Sequence, residues 1–154
     1  MRGARVSYQT WQDRRTMNEK RAADKLAAER REANVAKDFL SRAFYLDQRI
    51  RAKRQQIHEI QCLAGDSVCE GNNESALGLI DEYAEQLNEL IRVKKEITDV
   101  IARVEPCNYK LFLELRYEHF MMFKHIAAEM NSTEDYIKQM HRKVLAAAYA
   151  VMAT

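Results

Sequence analysis

The sequence predicts an all-α protein, and three observations carry that prediction. Only four glycines and one proline punctuate 154 residues. Alanine, leucine, glutamate, lysine and arginine are abundant, and apolar residues recur at alternating spacings of three and four. Strands would need more turn residues than this chain holds. The expected architecture is a long antiparallel helical hairpin, coiled-coil-like, followed by a compact three-helix helix-turn-helix domain, with a helical N-terminal arm ahead of both.

Residues 1 to 36 make up the arm. Nine basic and five acidic side chains fall in residues 1 to 35, against ten and twelve in 36 to 104 and six and six in 105 to 154. The chain's overall charge of +2 therefore hides one basic region. Around AADKLAAERRE the helix formers are strong but the apolar side is thin. A helix there is expected to lean on a partner, or to fray alone.

Residues 37 to 104 are expected to form the hairpin. Phe39, Ala43, Leu46, Ile50, Lys53, Ile57 and Ile60 trace one heptad seam, and Ile80, Tyr83, Leu87, Leu90, Lys94, Ile97, Ile101 and Val104 a second. Each seam has one charged interruption, Lys53 and Lys94. Between them, LAGDSVCEGNNESA has the composition of a loop, so the two stripes should fold back on each other. The acidic run Asp81, Glu82, Glu85 and Glu89 is expected to oppose Arg42, Arg49, Arg51, Lys53 and Arg54 on the first helix. Exposed pairs of that kind contribute only a few tenths of a kcal/mol each.

Residues 105 to 154 form the last unit. Pro106 disfavours helical backbone at Glu105, so the second hairpin helix should end near Val104. Three helical stretches follow: YKLFLELRYEHF, MMFKHIAAEM and EDYIKQMHRKVLAAAYAVM. In FKHIAAEMNSTEDYIKQMHRKVL, Phe123, Ile126, Ala127, Met130, Ile137, Met140 and Leu145 fall where a helix-turn-helix buries side chains, with small Ala127 permitting close approach. Asn131 sits where the turn wants a left-handed backbone, which asparagine tolerates well. Thr133 is placed to cap the last helix, with Glu134 and Asp135 favourable in its first turn. Tyr117, Phe120, Met121, Met122 and Phe123 are expected to supply core, since so small a domain needs them buried.

The stretch LFLELRYEHFMMFKHIAAEMNSTEDYIKQMHRKVLAA resembles the fourth region of housekeeping-type sigma factors and the phage regulators built on it. LELRY, an aromatic, IA, the turn, then an aliphatic followed by MHRKVL reproduce that family's order and spacing. The preceding KDFLSRAFYLDQRIRAKRQQIHEI is similar to a group of small prophage proteins that set a helical hairpin before such a module. The resemblance spans residues 37 to 150. It implies that helix 134–148 enters the major groove of double-stranded DNA, with Thr133, Glu134, Tyr136, Lys138, Gln139, Arg142 and Lys143 as candidate contacts. Gln139 suits adenine, and Arg142 suits guanine or phosphate. The typical turn glycine is replaced here by Asn131. Glu134 and Asp135 repel phosphate unless they meet cytosine amino groups, and a unit balanced at six against six attracts DNA weakly on its own.

Other chemistries find little support in the residues. His58, Cys62 and Cys69 lack an evident fourth metal ligand, and no nucleophile with a paired base or phosphate-cradling glycine loop stands out. No metal, cofactor or enzymatic activity is expected. His119, His125 and His141 are expected to be packed or half-exposed helix residues. Three cysteines without a signal peptide point to a reducing bacterial cytoplasm. No run of about 18 apolar residues exists to span a membrane.

The expected function is therefore a phage transcription regulator. It would bind DNA through residues 123 to 148, form a homo-oligomer, and contact RNA polymerase or another protein through the hairpin or the arm. Two alternatives stay open: the small subunit of a phage packaging terminase, and an adaptor or inhibitor that binds protein in place of DNA.

Overall fold

The computed structural model describes residues 3–66 and 73–154, with side chains described for 9–65 and 74–154. Its regular elements among the described residues are all helices: α1 (Gly3–Asp66), α2 (Asn73–Arg103), α3 (Cys107–Leu113), α4 (Phe123–Glu129) and α5 (Glu134–Met152). At its C-terminal end α3 widens into a π-helical stretch, Glu114–Glu118. Both hairpin helices extend into the segment that composition marks as a loop, whose residues 67–72 lie outside the described residues.

Helix α1 is 64 residues long, roughly 96 Å at 1.5 Å per residue. It runs without a break through residue 36, so the arm and the first hairpin helix are one rod. Residues 9–32 are exposed on every side. Such a polar stretch buries no side chain of its own, so tertiary packing contributes little to its helix. The packed part of α1 supplies its helical nucleus, and the arm needs only to propagate from it. Exposed pairs one turn apart, Arg15 with Glu19 and Lys25 with Glu29, add modest support.

Helices α1 and α2 pack antiparallel, as the seams require: Asp47 faces Lys94, and Lys53 faces Tyr83. Burial along the seams is graded. Ala43, Leu46, Ile50, Leu90, Ile97, Ile101 and Val104 are buried, whereas Ile57, Ile60, Ile80 and Tyr83, toward the hairpin tip, are half-buried. Both charged interruptions find partners. Lys94 Nζ donates to Asp47 Oδ1 at 2.7 Å, and Lys53 Nζ stands 4.1 Å from the centre of the Tyr83 ring. Arg51 reaches the other Asp47 oxygen at 3.2 Å. The Lys94 hydrogen bond is the main reason that the Asp47 carboxyl titrates below its ordinary range.

The expected pairing of α1 bases with α2 acids does not form. Among the described residues, no ion pair links Asp81, Glu82, Glu85 or Glu89 to Arg42, Arg49, Arg51, Lys53 or Arg54; Glu89 binds Arg92 on its own helix. The pair that crosses the hairpin has the opposite polarity, acid on α1 and base on α2. The cause is position: Lys94 stands in the seam facing Asp47, and the acidic run points to solvent.

A single core joins the hairpin to the C-terminal helices. Ala36, Leu40 and Ala43 of α1 are buried together with Ile97, Ile101 and Val104 of α2, Phe112 and Leu113 of α3, and the inner faces of α4 and α5. Arg103 ends α2, three residues ahead of Pro106.

Burial predicts where truncation hurts. Ile97 is 1% exposed, so Ile97→Ala should cost about 2 to 4 kcal/mol, while Ile57→Ala near the open end should cost under about 1. Urea unfolding of both variants checks this. Equal losses would mean that the tip is as tightly packed as the base.

Candidate nucleic-acid interface

The unit formed by α4, the turn and α5 begins with sequence-local chemistry. Asn131 adopts φ 50°, the left-handed conformation that ends α4. Ser132 N–H donates to the Ala127 carbonyl at 2.9 Å, which satisfies one of the last free carbonyls of that helix. Thr133 caps α5: its hydroxyl accepts from the Tyr136 N–H at 3.2 Å. Both features follow the sequence expectation.

Helix α5 divides into two faces. Ile137, Met140, Val144, Leu145 and Ala148 are buried, together with Ile126 and Ala127 of α4. Phe123 and Met130 are half-buried against the same core. Glu134, Asp135, Tyr136, Lys138, Gln139, Arg142 and Lys143 are exposed, so every α5 residue that sequence marks as a candidate contact lies on the outward strip, which spans roughly half the helix circumference. Thr133 is exposed too, but its hydroxyl is spent on the cap. Lys138 Nζ lies 3.4 Å from Glu134 Oε1, one turn along the same strip.

Behind the strip lies an aromatic cage that the sequence did not announce. His141 stacks on Phe112 at 5.5 Å between ring centres and meets Phe123 edge-on at 5.1 Å. A hydrogen bond of 2.8 Å joins Tyr117 Oη and His141 Nε2. Burial lowers the His141 pKa to about 4, helped by the positive charges of Arg116 and Lys37, and burial raises the Tyr117 phenol to about 12. At neutral pH both groups are uncharged. Their bond ties α5 to the π-helical stretch and fixes the rotation of the α5 strip.

Arg116 closes the opposite wall. Its guanidinium lies 4.4 Å above the Phe123 ring and donates to the Met121 carbonyl at 2.8 Å. Phe120 takes φ 57°, a strained conformation for an aromatic residue, and its ring meets Phe44 of α1 edge-on at 5.1 Å. Met122 departs from the expected core: it is 65% exposed, because it occupies the extended N-cap position of α4. Tyr117 is buried, while Phe120, Met121 and Phe123 are half-buried. His119 and His125 are exposed.

The sequence reading also missed the neighbour of this strip. Residues 26–37 of α1 and 141–146 of α5 line one groove of about 700 Å³. The signal was available in part: the buried row Leu40, Ala36 continues at helical spacing to Ala33 and Leu26. At the hairpin tip, exposed Cys62 has its Sγ 3.7 Å from His58 Nε2, and Cys69 lies outside the described residues. Among the described residues no helix is long and apolar enough to cross a membrane, and no three His, Cys, Asp or Glu side chains are grouped to hold a metal ion.

His141 makes stability depend on pH. The unfolded chain takes up a proton near the ordinary value of 6.5, whereas the folded chain resists until about 4. Its contribution is thus complete above about pH 6.5 and is lost as pH falls toward 4, at up to about 1.4 kcal/mol per unit. Denaturant unfolding of the parent and of His141→Gln at several pH values in that window isolates this contribution. The variant should show the shallower pH dependence, and parallel curves would refute the caged, neutral imidazole.

The chain was compared with family models, with curated proteins and with solved structures, and it matches none of them.

Proposed function

We propose that this chain is a DNA-binding transcription regulator of the phage type, acting in a bacterial cytoplasm through insertion of α5 into the major groove. The observation that carries the reading is the exposed strip of α5. Tyr136, Lys138, Gln139, Arg142 and Lys143 project from the outward side of a capped helix whose other side packs into the core through Ile137, Met140, Val144, Leu145 and Ala148. Such a helix presents side chains rigidly, with donors and acceptors suited to base edges and phosphates. The resemblance to the fourth region of sigma factors supports the same assignment.

Within this reading Gln139 reads adenine, Arg142 reads guanine or a phosphate, and Tyr136 and Lys143 position the backbone. Glu134 and Asp135 oppose phosphate and favour cytosine amino groups, which restricts the tolerated sequences. The hairpin, with its open tip, serves oligomer formation or contact with RNA polymerase. Function is binding, with no chemical step.

A second reading, an adaptor that binds protein through the arm, is favoured by Trp11, Met17 and Leu26. These three apolar side chains stand exposed along the arm part of α1, Trp11 at 60%.

Selection of bound sequences from random duplex DNA tests the first reading directly. Arg142→Ala and Lys138→Ala should weaken binding while leaving helical content unchanged. A lost base contact costs about 1 to 3 kcal/mol and relaxes one position; a lost phosphate contact lowers the salt slope by about one unit. If both variants bind every duplex as the parent does, α5 is not the reading helix. A parent with no salt-dependent duplex binding leaves the adaptor reading in place.

A further inference from the structure

Helix α1 passes beside α5 in a defined sense. Phe39 and Met152 border one cavity, and residues 26–37 border the groove with residues 141–146. Numbering thus rises together on both helices, so they run parallel where they meet. The exposed part of α1 therefore leaves the groove on the side toward the N-terminal end of α5, where Arg142 and Lys143 line it.

Charge is uneven along this groove. Arg30 and Lys37 from α1 and Arg142 and Lys143 from α5 line it, against Glu29 and Glu32. Six cations elsewhere, Arg15, Lys25, Arg51, Arg92, Lys94 and Lys138, sit within 4.0 Å of carboxylates, while many others stand unpaired but on single helices facing open solvent. Among the described residues, Arg30, Lys37, Arg142 and Lys143 form no such pair, nor does Glu32, while Glu29 lies 4.0 Å from Lys25, so the groove keeps an excess of two positive charges over its two acids. Four free cations on two rigid helices thus face one open groove at the end of the α5 strip. The C-terminal unit, with six basic and six acidic residues, lacks any net attraction of its own.

We propose that the groove between α1 and α5 is a clamp for the phosphate backbone of duplex DNA, in which Arg30 and Lys37 of α1 complete a contact begun by Arg142 and Lys143. It rests on the reading of α5 as the major-groove helix. Phosphates flanking the groove entered by α5 would pass along the side of the helix on which α1 lies, and two rigid walls hold cations there without ordering a loop. Each phosphate neutralised releases counterions, so the clamp makes binding steeply salt-dependent without adding base preference.

The test compares full-length parent, the double variant Arg30→Gln/Lys37→Gln, and a charge-matched control on the hairpin, Arg49→Gln/Arg54→Gln. Each is titrated with mixed-sequence duplex from about 50 to about 200 mM salt. The clamp predicts that the α1 double variant lowers the slope of log affinity against log salt by about two units, near 0.9 per lost contact, while the control keeps the parental slope. The order of preferred sequences should not change. Two results overturn the clamp alone: a parental slope in the α1 variant, or an equal loss in the hairpin control, which would reduce the effect to bulk charge. A parent that shows no salt-dependent duplex binding overturns both the clamp and the reading of α5.

Discussion

The structure depends on one short stretch of α1, from Ala36 to Leu46, that is buried by two partners. On one side it closes the base of the hairpin against Ile97, Ile101 and Val104, and on the other it packs with the C-terminal helices. Two small residues, Ala36 and Ala43, bracket Leu40 there, and small side chains allow helix axes to approach closely. A rigid rod shared by two packing units leaves no hinge between them. The position of α5 relative to the hairpin is therefore fixed by side-chain packing within a single core.

That constraint explains why the junction is richer in special geometry than either unit. The π-helical widening at Glu114–Glu118 turns Tyr117 inward to His141 and brings Arg116 over Phe123. Phe120 bears a left-handed backbone and delivers its ring to Phe44 of α1. Local strain of this kind persists only where surrounding contacts over-determine it. Here they do, with Met121 N–H bonded to the Leu115 carbonyl and His119 N–H to the Glu114 carbonyl. The outward strip of α5 is thus supported from behind by uncharged, mutually bonded aromatic groups.

Polar matching follows the same division. Lys94 and Lys53 interrupt an apolar seam, yet neither breaks it, because each reaches a partner on the facing helix. Along α1 the surface changes from seam to rod once α5 and α2 no longer cover it. The rod keeps its helix because propagation from a packed nucleus is far easier than starting afresh in water.

Much of this was legible in residue order. The two heptad seams predicted an antiparallel hairpin, Pro106 placed the end of α2 within a residue or so, and Asn131 and Thr133 announced the turn and the cap before α5. These features are local: periodicity of 3.6, a left-handed turn position and a capping hydroxyl act within a few residues. What residue order left open involves partners far apart in the chain. Asp47 meets Lys94 from 47 positions away, Tyr117 meets His141 from 24, and Phe120 finds Phe44. Composition alone paired the hairpin charges the wrong way round and put Met122 inside the core. The sequence by itself determined that the chain is helical and which face of each seam turns inward, because side-chain spacing on a helix is a property of the chain. Only the tertiary structure decided that His141 is neutral and that α1 flanks α5, because burial and electrostatic environment exist only once distant segments have excluded water together.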